Sequence, residues 1–181
     1  PHKLDEKSVL AIDQFLMRGG TVVLATSPFT ADLTRGELRL KERDSGLRKW
    51  LAHHGLKIER TLVLDAQNSS FRAPVARESG DYEFRDIQLV DYPYFIDLRP
   101  PGLATDHAVT QNLPQVTMAW ASPITVTPDP GRQVSVLLRS SGDAWLRSGK
   151  NVMPTIDETG MSNLQPPSDG ESPTRYGPLR A

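Results

Sequence analysis

The strongest constraint on the fold is a unit in which an apolar stripe, a glycine and a β-branched run follow one another. Val9, Ile12 and Leu16 recur at three-to-four-residue spacing, which is typical of an amphipathic helix. The pair Gly19-Gly20 follows, and TVVLAT at 21–26 comes next. Glycine readily adopts the left-handed conformation that ends a helix. The pattern therefore predicts a helix over 5–18, a glycine cap and a buried strand.

The same order of elements recurs further along the chain. A second apolar stripe at 47–54 ends at Gly55, and TLVLD follows at 61–65. Helices that alternate with buried strands are typical of parallel sheets, because each parallel pairing needs a crossover connection. The sequence therefore predicts an α/β fold with a helix-flanked, mainly parallel sheet. In that fold, 26–44 is a long connection that leaves the carboxyl end of the first strand.

The amino-acid composition changes near residue 147. We expect a single α/β domain over 1–147 and a loop-rich or partly disordered segment over 148–181, where turn residues are frequent and apolar residues are few. Within the predicted domain the weaker signals are an irregular polar stretch at 66–86, a short helix at 106–113, one or two strands at 116–128 and another strand at 133–141.

Several chemistries have no supporting motif. A phosphate cradle needs a strand, a glycine loop and then a helix, whereas Gly19-Gly20 follows a helix. The chain has no cysteine, which excludes a disulfide framework, thiolate metal ligands and a cysteine nucleophile. It contains no HExxH, GxSxG or Walker A motif, and its net charge of −1 does not favour nucleic acid. We therefore expect no cofactor, no metal and no nucleic-acid partner.

The candidate site follows from the predicted parallel sheet. Ligands of open α/β sheets bind at the carboxyl ends of the strands. The two strand exits are the loop after 21–26 and the residues after 61–65. They give a candidate ligand or partner surface formed by Ser27, Pro28, Phe29, Asp32, Asp65 and Asn68.

Two further interpretations remain open at this stage. A hydrolase or transferase could use aspartates near strand ends, of which Asp65, Asp91 and Asp97 are the candidates, although aspartate is also a common turn cap. A sensor of small ligands or glycans would need an aromatic-lined cleft, for which Phe29 or Tyr94 could serve.

Four segments together resemble a known family. AIDQFLMRGGTVVLATSPF, GLRKWLAHHGLKIERTLVLD, HAVTQNLPQVTMAWASPI and VSVLLRSSGDAWL follow one another in consistent order across most of residues 5–147. This combination resembles the auxiliary component of uncharacterised ABC-type transport systems, the GldG-like family associated with gliding motility. The final SPTRYGPLRA is similar to the start of a further family strand, at which the sequence stops.

The resemblance carries its own implications. Proteins of this kind look like membrane-anchored subunits with an extracytoplasmic domain that works beside an ABC permease and an ATPase. The resemblance therefore implies a non-enzymatic binding or assembly role at the periplasmic face of a bacterial inner membrane, with membrane segments outside this sequence. It also implies a three-layer, flavodoxin-like sheet similar to class I glutamine amidotransferases, without their cysteine. Ser27 stands where the family commonly has an acidic residue, which argues against a cation role for that loop.

Overall fold

Strands predominate in the structure. A computed structural model of the chain describes residues 3–34, 37–79, 82–156 and 162–166. The helices in these ranges are α1 (Glu6–Met17) and α2 (Arg48–His53). The strands in these ranges are β1 (Phe29–Thr34), β2 (Glu37–Glu42), β3 (Leu56–Ile58), β4 (Leu62–Leu64), β5 (Asn68–Ser79), β6 (Tyr82–Leu98), β7 (Val116–Ala119), β8 (Ile124–Val126) and β9 (Trp145–Arg147).

Both predicted helices form, and glycine ends each of them as expected. The side chain of Asp5 accepts a hydrogen bond from the Ser8 amide at 2.8 Å and so caps the start of α1. Gly19 after α1 has φ of +85°, and Gly55 after α2 has φ of +74°. At Gly55 a Cβ atom would also lie 2.9 Å from the carbonyl oxygen of Thr127, so both conformation and space require glycine there.

The predicted sheet is wrong. Every strand pairing in the described ranges is antiparallel, and the pairs form four small sheets ordered β1-β2, β3-β8, β4-β9 and β5-β6-β7. This arrangement overturns the helix-flanked, parallel, three-layer α/β fold and its flavodoxin-like form. The helix–glycine–strand order indicates where elements begin and end, but it does not determine which strand pairs with which.

The two runs for which the sequence predicts parallel strands differ in structure. Residues 21–26 form no strand, and Val23 within them is 88% exposed. The run at 61–65 does contain a buried strand, β4, as predicted. β4 pairs antiparallel with β9, with Leu64 opposite Trp145. A β-branched run without a partner strand leaves its backbone groups to solvent, so propensity alone did not make 21–26 a strand.

Other segments also differ from the prediction. The long connection at 26–44 contains the antiparallel pair β1 and β2, in register from Phe29↔Glu42 to Thr34↔Glu37. The polar stretch at 66–86 lies largely in β5 and β6, because β6 supplies backbone partners along its length. Residues 106–113 form turns, and 133–141 contributes a bridge from Leu138 to Leu103. Residues 116–128 do give two strands, β7 and β8, as predicted.

The strand β4 lies between two clusters of buried side chains. Leu62 and Leu64 face the first cluster and Val63 faces the second, as the two-residue period of a strand requires. Val152 and Leu164 are buried in the first cluster, so residues beyond 147 also pack on the core. The other parts of the predicted C-terminal segment, 157–161 and 167–181, lie outside the described residues.

The helices are short. In the part of the chain that the structure describes, none has the length and apolar character that crossing a bilayer demands.

Candidate functional site

Asp65 lies directly after β4 and is only 1% exposed. One of its carboxylate oxygens accepts hydrogen bonds from the Gln67 amide at 2.9 Å and the Ser141 hydroxyl at 2.5 Å. The other oxygen accepts from the Ser141 amide at 2.7 Å. Both oxygens are therefore used within the protein. The carboxylate holds the turn after β4 against the turn at 140–143.

Asn68 has a similar structural position at the start of β5. Its side-chain amide donates to the carbonyl oxygens of Asp65 at 3.2 Å and Ala66 at 3.0 Å. Its side-chain oxygen accepts from the Tyr92 amide at 2.8 Å. The β5–β6 register shifts between Asn68 and Ser70, so the side chain of Asn68 replaces backbone partners at this irregularity.

The other predicted surface residues lie before and within β1. The Ser27 hydroxyl accepts from the Phe29 amide at 3.1 Å, and the Phe29 ring is buried in the first core cluster. Asp32 pairs with the Lys41 ammonium at 2.5 Å across the β1–β2 ladder. The hydrogen bond from Lys41 holds the pKa of Asp32 below its usual value. The side-chain hydrogen bonds of Ser27 and Asp32 stay within residues 27–43. The side chains of Asp65 and Asn68 instead bond to residues 141 and 92, respectively.

Two of the predicted residues line a sizeable groove. Ser27 and Pro28 form part of a groove of about 580 Å³ that runs beside α2, which we call the α2 groove. A volume of this size lies in the range of small-molecule sites. Apolar side chains that line it are Pro28, Leu51, Leu56 and Ile58, and the charged ones are Arg43, Asp44, Arg48, Lys49, Lys57, Glu59 and Arg60.

The charges of the α2 groove are not balanced. Lys57 pairs with Glu59 at 2.9 Å, and Arg60 pairs with Glu42 at 2.8 Å. Asp44 lies near the side chain of Arg48 but pairs directly with Lys3, at 2.6 Å. Within the described ranges, the three remaining cations, Arg43, Arg48 and Lys49, have no carboxylate at ion-pair distance. The groove therefore joins an apolar surface to three cations that are available to a partner.

Sequence reasoning selected Ser27 and Pro28 but missed these cations. The signal was present in KERDSGLRKW at 41–50, where basic residues flank a turn before a short helix. The overall charge of the chain is nearly neutral, and a net charge does not reveal a local cluster of basic residues.

The aromatic residues form a core rather than a cleft. Tyr92 and Tyr94 are fully buried, and the Tyr92 ring lies 4.7 Å from both Phe71 and Phe95 between centroids. The Tyr92 hydroxyl donates to the Val152 carbonyl oxygen at 2.7 Å. Burial raises the pKa of this hydroxyl above its usual value. Phe29 and Tyr94, on which the sensor interpretation rested, are thus both core residues.

No group of three or more histidine, aspartate or glutamate side chains in the described part of the chain is arranged to hold a metal ion. The adjacent His53 and His54 pack edge to face with ring centroids 5.4 Å apart. The His54 ring also packs against Trp50 at 4.4 Å.

Comparison with known proteins gives one match. The model of the family described as ABC-type uncharacterized transport system matches residues 1–171, which is most of the chain. No curated protein and no solved structure matches significantly.

Proposed function

We propose, since the chain belongs to the family of auxiliary components of ABC-type uncharacterized transport systems, that it serves its system as a non-enzymatic binding or assembly module. The observation that carries this proposal is the α2 groove, which combines apolar side chains with three cations that have no carboxylate at ion-pair distance among the described residues. Asp65, the best-placed candidate for acid–base chemistry, is committed to hydrogen bonds with Gln67 and Ser141. The hydrolase alternative therefore gains no support from it.

The groove favours a particular kind of partner. Arg43, Arg48 and Lys49 would attract carboxylates. Pro28 and Ile58 offer apolar contact in the same groove. An acidic protein segment with interspersed apolar side chains provides both features. We therefore propose that the occupant is such a segment of the permease, exposed on the same side of the membrane as this domain, and that the ATPase is held in the complex through the permease. In the same proposal, the domain lies at the extracytoplasmic face of the membrane.

The assembly role can be tested by removing the three cations. In one variant Arg43, Arg48 and Lys49 are all replaced by glutamine. A matched control carries Lys7→Gln, Arg72→Gln and Arg132→Gln, which remove the same charge from exposed positions outside the groove. The native protein, affinity-tagged in its own cells, is purified from detergent-solubilised membranes, and bound permease and ATPase are quantified by mass spectrometry.

We expect the groove variant to recover at least about fivefold less of these subunits than the wild type, and the control variant to match the wild type. Binding that weakens as salt is raised would agree with the charge argument. Equal recovery by the groove variant would overturn the assigned surface. If neither subunit is recovered and the three cations instead promote binding to vesicles containing anionic lipid, the assembly role itself is refuted.

A further inference from the structure

The hairpin formed by β5 and β6 has an open edge along β6. β7 pairs with β6 only from Phe95 to Leu98, so 82–91 have β5 on one side and, among the described residues, no strand on the other. A cleft of about 490 Å³ lies at this edge. It is bounded by residues 88–91 and by residues from the segment 162–166. We call it the β6 cleft.

The backbone groups of Leu89 and Asp91 point to the open edge. In an antiparallel ladder, successive residues direct their N–H and C=O groups alternately toward the partner strand and away from it. The Tyr92 amide points to the β5 side, where it donates to the Asn68 side-chain oxygen at 2.8 Å. Residues 89 and 91 alternate with residue 92, so their backbone groups point away from β5. Among the described residues, neither has a backbone hydrogen bond to an element outside this hairpin.

The outer edge of β5 is protected, whereas that of β6 is not. Pro74 lies opposite Ile87 in the ladder, at a position where the backbone nitrogen points away from β6. A proline there offers no N–H to a further strand, and proline is one of the means by which natural proteins block sheet edges. Leu89 keeps its N–H, and its side chain is 70% exposed. The β6 edge is therefore the one that can accept an added strand.

Asp91 determines the charge of the β6 cleft. Its side chain is exposed, and it is the one charged side chain among the described residues that line the cleft. No cation in the described part of the chain lies at ion-pair distance from it. Arg72 lies opposite Leu89 on β5 and does not line the cleft. The other lining side chains are neutral, and the apolar ones include Leu89, Val90 and Ile156.

We propose that the β6 cleft binds an extended peptide segment of another protein, which adds to β6 as a further strand and places a lysine or arginine beside Asp91. An added strand gains affinity from main-chain hydrogen bonds and specificity from its alternate side chains. At about 3.3 Å per residue, residues 88–91 span about 10 Å, so about four peptide residues lie against them. A second copy of this chain would bring β5 along with its β6, whereas residues from 162–166 already bound the cleft. A single strand therefore suits the site better.

The proposal is tested on the whole chain with a peptide array. The probes are capped hexapeptides that hold valine, isoleucine, threonine or tyrosine at every position except one central lysine. The tightest binder is compared with two control peptides, one with glutamate in place of the lysine and one with N-methyl groups on alternate amides. Amide hydrogen exchange followed by NMR then shows where the peptide binds.

The protein variants separate the backbone from the side chains. Leu89→Pro removes an N–H from the open edge and leaves the ladder with β5 intact, whereas Leu89→Ala keeps that N–H. Asp91→Asn removes the charge, and Asp106→Asn is its matched control, because Asp106 is exposed and lies outside the cleft. Thermal melting establishes that each variant is folded; if Leu89→Pro fails to fold, the N-methylated peptide decides the question.

We expect at least one lysine peptide to bind and to slow exchange of the Leu89 and Asp91 amides at least about tenfold. Leu89→Pro should weaken binding at least about tenfold and more than Leu89→Ala does, and Asp91→Asn should weaken it about three- to fivefold. Asp106→Asn should bind as the wild type does.

The proposal is overturned if no lysine peptide binds, if the glutamate peptide binds as tightly, or if Leu89→Pro retains full affinity. It is also overturned if sedimentation shows that the chain alone forms a dimer that Leu89→Pro abolishes, because the edge then belongs to a second copy. The β6 cleft is separate from the α2 groove, so either result leaves the assembly role untouched.

Discussion

Replacing Asp65 with alanine is the most informative single perturbation of this fold. The substitution removes the acceptor of three hydrogen bonds, from the Ser141 amide, the Ser141 hydroxyl and the Gln67 amide. Hydrogen bonds to a charged group each contribute about 1.5–3 kcal/mol, and donors left unsatisfied add a penalty. Gln67 is exposed and water can replace its lost bond, so the loss centres on Ser141. We expect Asp65→Ala to lower the free energy of unfolding by about 3–5 kcal/mol.

Urea unfolding followed by far-UV circular dichroism measures this loss. Ser141→Ala is a milder variant, because it removes the hydrogen bond from the hydroxyl to Asp65 and keeps the one from the backbone N–H. It should lower the free energy of unfolding by about 1–2 kcal/mol. Asp32→Ala is the matched control: its aspartate is on the surface and pairs only locally, so its unfolding midpoint should stay close to that of the wild type. If Asp65→Ala unfolds within about 1 kcal/mol of the wild type, Asp65 is not the structural anchor described here.

Three further predictions concern other contacts. Tyr92→Phe should destabilise the fold by about 1–3 kcal/mol, since it removes a buried hydroxyl that also accepts from Trp120. Because burial raises the pKa of Tyr92, its contribution is complete below about pH 10 and is lost at higher pH, so the variant should show a flatter alkaline stability profile in urea melts. A hydrogen bond from the Lys150 ammonium lowers the pKa of Glu42. The stability difference between wild type and Glu42→Gln should therefore be complete at neutral pH. It should disappear as the pH falls below about 4.3, the usual pKa of glutamate, and then through the lowered pKa of Glu42. Asp13 in α1 accepts a hydrogen bond from the Trp50 indole N–H in α2 at 2.8 Å, so Asp13→Ala should increase amide hydrogen exchange in α1 and leave β4 protected; unchanged exchange in α1 would contradict this expectation.

The sequence predicted local elements better than their pairing. The stripe of Val9, Ile12 and Leu16 gives α1, and the leucine-rich run gives the buried strand β4, because periodicity and glycine caps act within a few residues. The partner of β4 is β9, about eighty residues away, and nothing in either run specifies an antiparallel neighbour. The parallel sheet was predicted from the order of helices and strands along the chain. That order is compatible with antiparallel pairing as well, so it does not determine the direction in which two strands pair.

For the candidate site, too, the sequence indicates single residues better than their long-range contacts. Asp65 was selected because aspartate at a strand end is often functional, but Ser141, which fixes its role, lies far along the chain. Residues from 88–91 and from 162–166 line one cleft for the same reason: long-range packing brings the two segments together. Side-chain identity alone therefore indicates which residues can carry charge or donate hydrogen bonds, whereas the tertiary contacts decide which of them remain available to a ligand.

Site-specific photo-crosslinking in the native cells tests the central claim most directly. A photoreactive amino acid is placed at Lys49 in the α2 groove and, as a control, at Arg132 outside it. The account predicts that position 49 crosslinks to the permease of the transport system and that position 132 does not. Crosslinks to the permease from position 132 but not from position 49, or from neither position, would contradict an assembly role for this groove.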